Sequence, residues 1–253
     1  MAPDRKVRSR RRISVAVFSV ATLIAAIWQG AGINTVHAAK LIAPPAGTLS
    51  LADLPIFEIP ARSAEGEAFA VMISGDGGWA RFDKGLSAEL SARGIPLVGL
   101  DSLKYFWHAR SPEQTAADVS GLIEHYASHW HKARVLLIGY SFGADVMPSI
   151  FNRLPAESRA RVASVNLLGL GAGASYRITA GEWWPFGKAN GLPVLPEIER
   201  LGSTPTLCIE GAREKKTICP SLVKLGVEVR QIGEGHHFSF MHKEIADAIL
   251  AAR

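Results

Sequence analysis

Aliphatic runs separated by polar, glycine-containing stretches organise this chain. Residues 55–60 and 68–73 are two short apolar runs around a turn-forming 63–67, and 95–100, 135–138, 162–170, 205–210 and 227–232 continue the series. The central runs are almost wholly apolar, which suits strands of a parallel sheet covered on both faces. Segments of helical period lie between them. Residues 84–93 read as one helix. Ser111, Pro112 and Gln114 supply the cap, first residue and capping-box partner of another. Val119, Leu122, Ile123, Tyr126 and Trp130 then fall on one face of it. A further helix follows residue 141, with Pro148 expected to bend it, and a terminal amphipathic helix begins near Met241. The alternation predicts an α/β domain with a mostly parallel sheet flanked by helices.

Two stretches interrupt that rhythm. Residues 101–107 follow a strand where open α/β sheets place ligand loops, although aromatic residues such as Tyr105, Phe106 and Trp107 belong more often to a core than to a substrate wall. Residues 174–196 are irregular and contain Trp183-Trp184-Pro185-Phe186, a lid-like insertion whose aromatics either face an acyl chain or bilayer, or pack onto the core. His125, His129 and His131 sit at and beside a helix end, where solvation is the expected state.

The first 39 residues lie outside the α/β pattern. A basic segment with Arg5, Lys6, Arg8, Arg10, Arg11 and Arg12 precedes an apolar run over 13–27, and small residues at Ala38 and Ala39 suit cleavage. Residues 1–39 therefore read as a signal peptide, with an uncleaved anchor as the alternative and a faint twin-arginine likeness in Arg10-Arg11-Arg12. Residues 40–53 form a lead-in and 54–253 the domain. The whole chain carries a formal charge of +5, but the leader holds six of the 28 basic and one of the 23 acidic residues, leaving 22 of each. A neutral exported domain has no bulk electrostatic reason to bind nucleic acid, so none is expected as a partner. Export also meets an oxidising compartment, where Cys208 and Cys219 are expected to form a disulfide. Two cysteines with no nearby histidine do not complete a metal shell, and no metal or other cofactor is expected.

Chemistry concentrates at Gly139-Tyr140-Ser141-Phe142-Gly143, a G-x-S-x-G sequence between an apolar strand and a helix. This is the pattern of a nucleophile elbow, in which a serine hydroxyl stands clear on a tight turn, and Ser141 is the candidate nucleophile. Backbone amides of Asp76 or Gly77, in the glycine-dense 74–79, together with that of Phe142, would form an oxyanion hole. Glu214 is the candidate acid, with Glu210 as rival. His236 is the candidate base and is preferred to His237, because it directly follows Gly235 in the loop after the last strand. Asp145, one turn beyond Ser141, is expected to accept backbone N–H groups, with contact to a cationic substrate group as the alternative. Trp79 is a second candidate substrate contact.

With these residues in place, the chain from about Leu54 onward resembles the AcvB/VirJ bacterial virulence-protein family of the α/β-hydrolase superfamily. Residues 74–79, 99–107, 139–147 and Gly235-His236-His237-Phe238 carry the resemblance. It implies an α/β-hydrolase fold and a periplasmic location. Some members are implicated in hydrolysing aminoacylated phosphatidylglycerol such as lysyl-phosphatidylglycerol, others in type IV secretion. Glu214 departs from the aspartate that similar hydrolases most often use. The expected activity is that of a serine ester hydrolase, with phospholipid or another ester as substrate and contact with a membrane surface. The alternatives are a general carboxylesterase and a non-catalytic accessory of secretion-system proteins.

Overall fold

The computed structural model describes residues 47–63, 66–179 and 191–252. The leader and the aromatic cluster at 183–186 lie outside the described residues. In chain order the elements are β1 (Ile56–Ile59), β2 (Ala68–Ile73), α1 (Arg81–Ala92), β3 (Leu97–Leu100), α2 (Ser102–Tyr105) and α3 (Pro112–His129). Then come β4 (Arg134–Tyr140), α4 (Phe142–Arg153), α5 (Ala156–Arg161), β5 (Val162–Leu168), β6 (Gly173–Ala174) and β7 (Leu192–Pro193). The chain continues through α6 (Leu195–Glu199), β8 (Thr206–Glu210), α7 (Cys219–Leu222), β9 (Glu228–Gln231) and α8 (His242–Ala251).

Seven strands form one sheet in the order β1-β3-β2-β4-β5-β8-β9. Only the edge pair β1–β3 is antiparallel; every other pair is parallel. The apolar runs explain this, because alternate residues of a central strand enter different cores. In β2, Phe69, Val71 and Ile73 join Val119, Leu122 and Ile123 of α3 and Val146 and Ile150 of α4. Ala70 and Met72 face the other way, among Leu86 and Leu90 of α1 and Ile245 and Ile249 of α8. Each fully buried aliphatic side chain contributes roughly 1.5–3 kcal/mol, so both layers are bound firmly to the sheet. β4 lies at its centre, and its carboxyl end is where the G-x-S-x-G turn projects.

Several boundaries differ from the sequence reading, for local reasons. Residues expected as a loop after β3 form the short helix α2, because the Asp101 carboxylate caps it by accepting the Lys104 amide at 3.1 Å. Pro148 lies inside α4, which continues to Arg153. Part of the lead-in belongs to the domain: Leu49 donates its amide to Asp118 of α3 at 2.8 Å, and Arg110 reaches the Gly47 carbonyl at 2.8 Å. The insertion is rooted by an antiparallel bridge between β6 and β7, and its last residues already belong to α6.

Candidate active site

The turn after β4 holds Ser141 at φ 51°, ψ −116°, outside the regions a serine prefers. Such a conformation costs on the order of 1–3 kcal/mol and persists only when its surroundings impose it. Here the Ser141 amide donates to the Leu168 carbonyl at 2.8 Å, and the Ser141 carbonyl accepts the Asp145 amide at 3.1 Å. The flanking glycines are required by close approach. A Cβ on Gly143 would collide with the Ile73 carbonyl, and one on Gly139 with the Gly143 backbone.

Loops after β8 and β9 complete the arrangement. His236 Nε2 lies 2.7 Å from Ser141 Oγ, and His236 Nδ1 lies 2.6 Å from Glu214 Oε1. Glu214 Oε2 accepts the Gly211 amide at 3.1 Å, which fixes the carboxylate plane. With Glu214 Oε1 accepting a hydrogen bond from Nδ1–H, Nε2 is left to accept from the serine hydroxyl. Backbone bonds tie the two loops together, from the Ala212 amide to the Gly233 carbonyl (2.9 Å) and from Arg213 to Glu234 (2.8 Å). The Cys208–Cys219 disulfide, both residues fully buried, closes the chain on either side of Glu214.

The rival residues have other partners. Glu210 is buried at the end of β8 and accepts from the Gln231 side chain of β9 at 3.0 Å. His237 turns its Nδ1 to the Tyr140 hydroxyl at 3.4 Å. One glycine that the sequence reading passed over has a defined part: at Gly169 (φ +69°) a Cβ would lie 2.8 Å from the His236 ring. Its signal was Gly169-Leu170-Gly171 directly after a strand.

The loop after β2 lies against the serine. Gly78 donates to the Gly75 carbonyl at 3.0 Å, closing a turn that carries Asp76 and Gly77. A Cβ on Gly75 would sit 3.5 Å from that of Ser141. Ser74 anchors the loop, its hydroxyl accepting the Ser102 amide at 3.0 Å while Ser102 Oγ donates to the Ser74 carbonyl at 2.6 Å. Phe142 is the first residue of α4, so its amide has no partner within the helix. Its ring packs on Phe106, centroids 4.9 Å apart.

Ser141, Asp145, Glu214, Lys215, Lys216 and His236 share a cavity of about 410 Å³. Asp145 Oδ1 accepts the Gly171 amide at 2.7 Å. Burial, opposed by that hydrogen bond and reinforced by the Asp76 and Glu214 charges, pushes its carboxyl up to about 7. Trp79 is not a substrate contact of this cavity. Its indole is buried, stacks on Phe57 at 5.3 Å and covers Gly99, where any side chain would collide with it. An aromatic side chain that finds an apolar slot between the edge strands stays there, and Trp79 does not line the cavity with Ser141. Among the described residues no group of three or more His, Cys, Asp or Glu is placed to hold a metal, and no helix is long and apolar enough to cross a membrane.

Comparison with known proteins places the fold. A lipase-esterase related protein from Clostridium acetobutylicum superposes with a TM-score of 0.58 at 15% identity, over 79% of this chain and 99% of that one. Est1E from Butyrivibrio proteoclasticus, solved with ferulic acid bound, gives 0.55 at 12% identity over 78% and 92%. MenH from S. aureus gives 0.52 at 12% identity over 78% and 97%. These likenesses concern the fold, which is that of the α/β-hydrolases. No curated protein matches the sequence significantly. The family model described as bacterial virulence protein (VirJ) matches residues 67–253, so the chain belongs to the VirJ family of α/β-hydrolase-fold proteins.

Proposed function

We propose that this protein is a periplasmic serine hydrolase that cleaves a carboxylic ester. The observation that carries the reading is the continuous line from Glu214 Oε1 through the His236 ring to Ser141 Oγ, at 2.6 and 2.7 Å, on a serine held in a strained turn. His236 takes the hydroxyl proton as Ser141 attacks the ester carbonyl, and Glu214 stabilises the resulting imidazolium. The amides of Phe142 and of Asp76 or Gly77 receive the oxyanion. His236 then protonates the leaving alcohol, and water, activated by the same imidazole, releases the acyl group.

The favoured substrate is an aminoacyl ester of phosphatidylglycerol, with lysyl-phosphatidylglycerol as the type case. Membership of the VirJ family supports it, as does a cavity that sets Asp145 close to Ser141 for an acyl group bearing an ammonium. Hydrolysis would acylate Ser141 with the amino acid and restore the anionic lipid. The test is incubation of the protein and its Ser141→Ala variant with lysyl-phosphatidylglycerol vesicles, measuring free lysine. Release lost in the variant supports the reading. Turnover of simple short-chain esters without lysine release would keep the hydrolase and replace the substrate by a general carboxylester. No turnover of either by folded protein would remove the enzyme reading in favour of a secretion accessory.

A further inference from the structure

Among the described residues, the carboxylates on the wall of the Ser141 cavity differ in what they face. Glu214 holds His236 Nδ1 at 2.6 Å, and Glu234 pairs with the Arg213 guanidinium at 2.9 Å. Asp145 has no such partner. Its Oδ1 accepts the Gly171 amide at 2.7 Å, but Oδ2 accepts no hydrogen bond and is accessible from the cavity. Lys215 and Lys216 line the same wall as exposed side chains, and neither forms an ion pair with Asp145. The charges that act on Asp145, those of Asp76 and Glu214, are both acidic. A half-buried carboxylate oxygen is thus left without the counter-charge that would offset its lost hydration.

The helix sets how far that oxygen lies from the chemistry. The Asp145 amide donates to the Ser141 carbonyl at 3.1 Å, so the two residues are one turn of α4 apart. Side chains at that spacing stand roughly 5–6 Å apart at Cβ. In an α-aminoacyl ester the nitrogen lies about 2.5 Å from the carbonyl carbon that Ser141 attacks. A charge-assisted hydrogen bond reaches about 2.8 Å further, which spans the gap. The ammonium of a lysyl side chain, four methylenes beyond the α-carbon, fits the same gap only if its stem folds back. Gly171 keeps the place open, since a Cβ there would press on both Asp145 oxygens, at 3.2 and 3.4 Å. Gly169, Leu170 and Gly171 continue the wall and offer no charge to an acyl side chain.

Resting on the hydrolase reading, we propose that Asp145 is the specificity-determining residue of this site and that its Oδ2 seats the α-ammonium of the acyl group. The substrate class is then the α-aminoacyl esters, selected by their free α-amino group and not by their side chain. A lysyl and an alanyl ester are both accepted, and an acyl group without the ammonium leaves Asp145 unpaired and is rejected.

A series of benzyl esters tests this at pH 7, with benzyl alcohol release measured by chromatography. The expected result is kcat/KM for alanine, lysine and Nε-acetyl-lysine esters within about tenfold of one another, each at least about a hundredfold above Nα-acetyl-alanine and propionate esters. This comparison needs only the parent protein. In Asp145→Asn, which keeps an acceptor for the Gly171 amide, the ratio of alanine to propionate ester hydrolysis should fall below about ten, with the melting temperature confirming the fold. A parent that follows the Nε group instead of the Nα group, that hydrolyses the whole series equally, or whose preference survives Asp145→Asn overturns the proposal and leaves the hydrolase standing. Folded protein that hydrolyses none of the esters and stays unlabelled by fluorophosphonate removes the hydrolase reading and this one with it.

Discussion

Ser141 and His236 meet at 2.7 Å, yet different physics brings each of them there. The serine is held by its own neighbourhood: a parallel strand, a helix, and two glycines whose missing side chains let β4, α4 and β2 approach. The histidine and Glu214 ride on loops from two other strands, aligned by hydrogen bonds between those loops, by a disulfide and by the space at Gly169. Backbone sterics fix the nucleophile; tertiary contacts fix its partners. Substitutions in the two regions should therefore fail differently, the first through folding and the second through chemistry.

The largest effect belongs to the loops. Glu214→Gln keeps the side chain's shape but lets its amide donate to Nδ1, favouring the wrong imidazole tautomer. The rate of ester hydrolysis should fall by roughly 10³–10⁴-fold with little change in melting temperature. A variant that keeps more than a tenth of the parent rate would show that Glu214 does not orient the base. The elbow gives the opposite signature. Gly143→Ala drives a methyl group into the Ile73 carbonyl and should lower stability by about 3 kcal/mol, read by chemical denaturation. Unchanged stability would mean that the turn is looser than the packing implies.

Breaking the disulfide should give an intermediate result. Replacing Cys208 and Cys219 together by alanine releases the segment that carries Glu214, and about 2–3 kcal/mol of stability should be lost. Ester hydrolysis should also fall below that of the parent at temperatures where both proteins remain folded. Full activity there would show that hydrogen bonds alone place the acid.

The smallest effect concerns pH. The folded state holds Asp145 at about 7, above the ordinary carboxylate value, so it favours the protonated form. That contribution to stability is present at low pH and is lost as pH rises through about 7. Asp145→Asn keeps an acceptor for the Gly171 amide and cannot ionise. Its melting temperature relative to the parent should rise between pH 5 and pH 8, by the equivalent of about 1–2 kcal/mol once partial solvent access is allowed for. An equal difference at both pH values would contradict a raised Asp145.

What the sequence reveals follows the same division. The strands of the sheet are visible as apolar runs, and the elbow as G-x-S-x-G, because their constraints act between near neighbours in the chain. His236 and Glu214 are visible as residues, through their glycine-rich loops, but their meeting depends on β8 and β9 lying side by side. α2 escaped the pattern although Asp101 caps it, since four residues are too few to show a helical period. Trp79 was misplaced because the slot above Gly99 that takes its ring exists only once β1 and β3 pair.

The most direct test of the central claim is covalent: treatment with a fluorophosphonate, followed by peptide mass spectrometry to locate the adduct. A single phosphonyl group on Ser141, absent from Ser141→Ala and formed at least about a hundredfold more slowly in His236→Ala, is the result predicted here. Folded protein that stays unlabelled, or labels equally fast without His236, would contradict a serine activated by that imidazole.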